Sequence, residues 1–164
     1  LLLGGGYPEL FAQSLSQNAP IRAAVREAIL EGMPTVAACG GYLYLGETRS
    51  DPEGKPWPMA GVLPRGAKNA GKLRRFGYGT LTARKSGLLL DAGESLPAHT
   101  FHYWQSDWEG EDLRFQKRDG RSWPGGWHTE TLYAGFPHFH FGGRPGLAQR
   151  FLSRCMEYQR EEGT

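Results

Sequence analysis

The stretch PTVAACGGYLYL, residues 34–45, sets one cysteine between a short apolar run and two glycines. Thr35-Val36-Ala37-Ala38 is the pattern of a strand buried on both faces in a parallel sheet, and Tyr42-Leu43-Tyr44-Leu45 suits the start of a helix. A strand that ends in a nucleophile and turns sharply into a helix displays that side chain above the sheet edge. The strained turn demands small neighbours, which Ala38, Gly40 and Gly41 supply. The helix N-terminus is expected to lower the Cys39 thiol pKa from its free value of about 8.5. It would also offer the Gly40 N–H to a developing oxyanion. A structural cysteine in a strand-turn-helix has the same local pattern, so spacing alone leaves both readings open. Cys155 falls on the apolar stripe of the last helical segment and reads as core.

Upstream, Leu1 to Leu3 look like the end of a buried strand that opens into Gly4-Gly5-Gly6. That loop either presents backbone N–H groups to an anion or makes a tight turn. Tyr7-Pro8-Glu9-Leu10 reads as a turn into a short helix. Asn18 is placed to cap a helix over residues 19–31, with Pro20 in its first turn and Gly32 as its stop. Ile21, Val25, Ala28 and Ile29 share one face of it. Strand, helix, strand is a βα unit and predicts an α/β fold.

Downstream, Pro52, Gly54, Pro56, Pro58, Pro64 and Gly66, between Arg49 and Gly71, predict a loop without regular elements. Residues 73–83 predict a strand with Phe76, Tyr78 and Thr80 on one face, and residues 99–104 another. Asp119-Gly120 is a hairpin signal. Residues 133–141 carry aromatic β-formers. A helix over residues 145–161 has Leu147, Phe151, Leu152, Cys155 and Met156 as its apolar stripe. No internal repeat or domain boundary interrupts residues 1–164, which read as a single domain.

A thiolate nucleophile needs a base. His138 and His140 stand two apart on the 133–141 segment, and only one of them is expected to face the cysteine. Two edge-strand histidines or two metal ligands are the competing readings. No cysteine or carboxylate company stands near them, so no metal site is expected. His99 and His102 raise the same metal question with the same answer. Residues 66–72 match the opening of a phosphate-binding loop, but Leu73 occupies the position of the Mg²⁺-holding hydroxyl, so ATP binding is not assigned to this chain.

Bulk composition narrows the classes. With 39% hydrophobic and 22% charged residues the chain is an ordinary globular one, and a net charge of +2 does not argue for nucleic acid or a membrane surface. No apolar run approaches the roughly 20 residues of a bilayer span. The opening LLLGGGYPEL lacks the features of a signal peptide, and two cysteines fit a reducing cytoplasm. The apolar start on strand-end residues suggests a C-terminal piece of a longer protein.

Five motifs in order give the chain a resemblance. GGGYPEL at 4–10, AACGGYLYL at 37–45, LRRFGYGTL at 73–81, HTFHYW at 99–104 and HFHFGGRP at 138–145 resemble the glutamine amidotransferase domains of cobyrinic acid a,c-diamide synthases. The resemblance runs nearly end to end. It implies a class I, flavodoxin-like domain with a mostly parallel central sheet flanked by helices. It implies hydrolysis of glutamine to supply ammonia for a,c-diamidation of cobyrinic or hydrogenobyrinic acid in cobalamin biosynthesis. In that family an N-terminal synthetase domain uses ATP and Mg²⁺ to activate the corrin carboxylates, so the amidotransferase domain itself is expected to hold no cofactor. Position by position, Cys39 matches the nucleophile and His138 the histidine that assists it, while Gly5, Gly6 and Gly40 match the oxyanion hole. The chain departs from the family pattern at four places. Phe139-His140 stands where many class I relatives have Pro-Glu, leaving the third member of the catalytic set unplaced. Ala38 stands for a glutamate, Phe136-Pro137 precedes the histidine, and Trp104 replaces a small residue at the mouth. An inert amidotransferase-like domain and another cysteine hydrolase with the same turn remain as alternatives, and a homo-oligomer is left open.

Overall fold

A computed structural model describes residues 1–64, 66–106 and 109–162 of the chain. In chain order it has β1 (Leu2–Leu3), a 3₁₀ turn (Pro8–Phe11), α1 (Ala12–Gln17), α2 (Ala19–Leu30), β2 (Thr35–Ala38) and α3 (Gly40–Tyr44). There follow β3 (Thr48–Ser50), β4 (Pro56–Pro58), β5 (Ala67–Asn69), β6 (Arg75–Ala83), β7 (Ser95–His102) and β8 (Trp104–Ser106). The chain continues through β9 (Leu113–Gln116), β10 (Ser122–His128), β11 (Leu132–Gly135), a second 3₁₀ turn (Phe141–Gly143) and α4 (Leu147–Glu162).

The main sheet has seven strands in the order β1-β2-β11-β10-β9-β6-β7. Thr35, Val36 and Ala37 of β2 are buried, and both neighbours, β1 and β11, run parallel to it, as its apolar sequence predicts. The rest of the sheet corrects the expectation of a mostly parallel one. β11-β10, β10-β9, β9-β6 and β6-β7 are all antiparallel, so two of the six pairings are parallel. Their connections explain it: Asp119-Gly120 turns β9 into β10 as a hairpin, with Gly120 at φ +86°, and β6 pairs with β7 over eight residues. Hairpins pair neighbours antiparallel, whereas parallel pairing needs a long crossover. α2 supplies that crossover between β1 and β2. Asn18 Oδ1 accepts from the Ile21 N–H at its start. Gly32 closes it at φ +98°, with Gly32 N–H donating to Ile29 O and Met33 N–H to Ala28 O.

The segment predicted as loop carries three short strands instead. β3, β4 and β5 join β8 in a second sheet of order β4-β3-β5-β8. Pro56 and Pro58 sit on the edge strand, where a missing N–H costs no ladder bond. The α4 stripe is narrower than its sequence suggests: Leu147 and Phe151 are buried and Cys155 packs against the core, but Leu152 and Met156 are 57% and 52% exposed. Phe76, Tyr78 and Thr80 share a face of β6 as predicted, and that face is open to solvent. Among the described residues no helix is long and apolar enough to cross a membrane.

Candidate active site

Cys39 stands where β2 meets α3, at φ 50° and ψ −104°, the one non-glycine residue with positive φ among those described. Such a conformation is disfavoured for any residue with a Cβ and persists only where its surroundings fix it. Here they do. The Cys39 N–H donates to Gly135 O at 2.8 Å, and its carbonyl accepts from Leu43 N–H at 3.0 Å. The two following glycines are needed for space rather than for φ. A Cβ on Gly40 would lie 2.8 Å from Gly6 O and 2.9 Å from Gly6 N, and one on Gly41 would lie 2.3 Å from Leu3 O. The strand-turn-helix thus presses its first turn against the Gly4-Gly5-Gly6 loop, and Gly41 N–H donates to Gly4 O.

The histidine follows β11, the strand that pairs with β2. β11 ends at Gly135, and Pro137, which has no N–H to donate, prevents its continuation. His138 instead forms a two-bond bridge with His99 at the β7 edge, N–H to O at 2.7 and 2.8 Å. The hydroxyl of Tyr133, a fully buried residue, donates to Pro137 O at 2.5 Å and fixes the residue just before it. The His138 ring packs on Gly5, where a Cβ would lie 2.8 Å from its Cε1. His140 points elsewhere: it caps the second 3₁₀ turn by accepting from Gly142 N–H. Cys39, His138, Gly5 and Gly6 line a single cavity of about 370 Å³, whereas Gly40, which follows the cysteine, is buried and is not among the residues lining it. Among the described residues no carboxylate contacts the His138 ring, and no three His, Cys, Asp or Glu side chains converge as a metal site would require.

The same cavity holds Glu9, to which the sequence reading assigns no role, beside Trp104, read as a large residue at its mouth, and His102, weighed only as a metal ligand. Glu9 faces it from the first 3₁₀ turn. Its carboxylate accepts from the fully buried Arg49 at 2.5 Å and from Trp104 Nε1 at 3.2 Å, and the Arg49 guanidinium stacks 3.8 Å over the Trp104 ring. His102, also on the wall, stacks on Phe136 with centroids 3.7 Å apart. Glu9 was visible within GGGYPEL, and Trp104 within HTFHYW as an unusually large residue. Nothing near Arg49 in the sequence signals that it reaches back 40 positions to Glu9.

The electrostatics correct one expectation. Burial pushes the Cys39 thiol pKa up; the Gly40 N–H at the sulfur and the nearby Arg49 pull it down, and Glu9 adds to the rise. The net direction is upward, because α3 is a five-residue helix and desolvation outweighs what its first N–H offers. Burial and the neighbouring His99 hold His138 below the usual histidine range, so its ring is neutral at pH 7 and able to accept a proton.

His102 is depressed to about 4, chiefly by burial, with its Nδ1–H donating to Trp104 O at 2.7 Å. His128, which accepts from Leu89 N–H at Nε2, is lowered too. When the pH falls below 6.5 the unfolded chain takes up these protons first, so stability is full above pH 6.5 and declines toward pH 4. For His102 the gap between 6.5 and about 4 is worth about 3 kcal/mol. Urea unfolding is therefore expected to lose at least about 3 kcal/mol between pH 7 and pH 4; a flat profile across that range would contradict neutral burial of these rings.

Comparison with known proteins identifies the family. A family model described as the CobB/CobQ-like glutamine amidotransferase domain matches residues 1–146. The chain is 40% identical over 158 residues to a cobyrinate a,c-diamide synthase of Salmonella typhimurium, covering 92% of this chain and 34% of that protein. It is 38% identical over 160 residues to one of Synechococcus sp., with 96% and 35% covered. A third, from Gloeobacter violaceus, is 37% identical over 155 residues, with 94% and 34% covered. The chain thus spans about a third of the length of these relatives. With the family model covering nearly all of it, this chain belongs to the CobB/CobQ-like family of glutamine amidotransferase domains.

Proposed function

We propose that this chain hydrolyses glutamine through Cys39 and His138 and delivers the ammonia for a,c-diamidation of a cobyrinate-type corrin. The observation that carries the reading is the strained Cys39 turn sharing one cavity with His138 and the Gly5–Gly6 loop. The acceptor follows from the relatives, which are cobyrinate a,c-diamide synthases. Carboxylate activation with ATP and Mg²⁺ is assigned to a synthetase portion outside this chain, in keeping with the third of its relatives' length that the chain spans. The acceptor corrin and the amidation belong to the whole protein.

In the proposed mechanism neutral His138 takes the thiol proton as Cys39 sulfur attacks the side-chain amide carbon of glutamine. The raised thiol pKa makes this transfer part of the reaction rather than a resting thiolate. The N–H groups of Gly40 and of the Gly5–Gly6 loop hold the developing oxyanion. The C–N bond breaks as His138 returns the proton to the departing nitrogen, giving ammonia and a glutamyl thioester. Water then attacks the thioester carbon, His138 accepts its proton, and the C–S bond breaks to release glutamate and restore the thiol. The bridge to His99 and the contact with Gly5 orient the ring in place of a carboxylate.

A diazo-ketone analogue of glutamine tests the assignment in the full-length protein. Attack at its electrophilic carbon is expected to give one stoichiometric adduct on the Cys39 peptide, blocked by excess glutamine. Absence of an adduct at Cys39 favours an inert domain.

A further inference from the structure

We propose that Glu9 recognises the α-ammonium group of the substrate glutamine, with Arg49 and Trp104 positioning its carboxylate. The inference rests on the glutaminase reading above and assigns a residue to substrate selection within it. Glu9 is the only Asp, Glu, Lys or Arg among the described residues that line the cavity, and burial holds His102 and His138 below the usual histidine range. Its side chain keeps 14% of its surface open while both oxygens are held from behind, one by Arg49 and one by Trp104. Each oxygen retains a lone pair for a further donor. The cavity therefore offers a fixed, partly desolvated carboxylate in the same space as Cys39, which suits a primary ammonium on a short amide-bearing chain.

Two features separate this from an ordinary structural ion pair. Arg49 is fully buried, yet among the described residues its Nε and Nη1 have no hydrogen-bond partner. A buried pair left this incomplete adds little to stability compared with apolar side chains of similar volume, so its presence calls for another role. The second feature is electrostatic. A lone carboxylate near the nucleophile would oppose ionisation of the thiol, and Arg49 acts on Cys39 in the opposite sense. Pairing the two lets the cavity keep an anion for the substrate without that anion acting alone on the sulfur.

The test compares glutamine with glutaramate, the same amide lacking the α-amino group, as substrates of the full-length protein. The wild type is expected to prefer glutamine, and Glu9→Gln to reduce that preference about 10- to 100-fold, chiefly through KM for glutamine. Any change in Cys39 ionisation caused by uncovering Arg49 acts on both substrates and cancels in the ratio. Glu9→Asp keeps the charge and withdraws it by one methylene, so an intermediate preference is expected; this variant serves if Glu9→Gln does not fold. A wild type that hydrolyses both substrates equally overturns the assignment, as does a preference that survives both substitutions. If the wild type hydrolyses neither substrate, the glutaminase reading itself fails, which is a distinct result.

Discussion

Cys39→Ala in the full-length protein is expected to lower glutamine-dependent amide formation by about 10³-fold or more, while formation from added ammonium salt continues. The size of the effect follows from the site. Removing the sulfur leaves His138 and the backbone donors with no atom to form the thioester, and direct attack by water on an unactivated amide is slow. The substitution is mild for the fold. Alanine has a Cβ, as cysteine does, so it meets the same strain at φ 50° and fits within the same turn. The N–H bond to Gly135 O and the acceptance from Leu43 N–H are backbone interactions and survive. Activity measured with both nitrogen sources therefore separates loss of the nucleophile from loss of structure. Retained use of glutamine by Cys39→Ala would remove Cys39 from the mechanism; loss of both activities would mean a structural role.

The parts of the site legible in the sequence are those that local chemistry dictates. A short strand, a cysteine and two glycines specify the turn because no side chain fits at Gly40 beside the Gly6 backbone or at Gly41 beside Leu3. Asn18 and Gly32 delimit α2 through bonds made within a few positions. His138 and His140 are told apart by the fold rather than by strand period: residues two apart on a strand share a face, and the two part because β11 ends at Gly135, before Pro137, and His140 caps the second 3₁₀ turn. Features that depend on distant partners were not legible. The antiparallel half of the main sheet arises from which hairpins dock side by side, and a single βα unit carries no information about that. Short strands with proline inside them look like loop until β8 and β3 arrive to pair with them. Likewise Leu152 and Met156 belong to the apolar stripe of α4 by period alone, whereas the sheet beneath receives only Leu147, Phe151 and Cys155. The Glu9–Arg49–Trp104 group joins three separate segments, and only the fold brings them to one wall.

Gly41→Ala is expected to have the largest effect on stability of any single methyl group added at the site. The new Cβ would lie 2.3 Å from Leu3 O and 2.6 Å from Leu3 Cβ, so β1 or α3 must move. Neither can move alone. Gly41 N–H is bonded to Gly4 O, while Leu2 and Leu3 are in register with Val36 and Ala37 of β2. Overpacking against backbone of this kind costs about 3 kcal/mol, which for a chain of this size lowers Tm by about 6–12 °C. Gly40→Ala meets Gly6 instead, at 2.8 Å, on a loop that borders the cavity. Its expected effect is smaller on stability and greater on glutaminase activity, because the displaced Gly6 peptide is one of the proposed oxyanion donors. Gly4→Ala is the control: nothing lies within 4 Å of its added methyl, and its carbonyl still accepts from Gly41, so a change within about 0.5 kcal/mol is expected. Thermal unfolding and glutamine hydrolysis of the three variants, made in the full-length protein, read these expectations directly. If Gly41→Ala melts with the wild type, the close contact between β1 and the cysteine turn is wrong, and the positioning of Cys39 against the glycine loop goes with it.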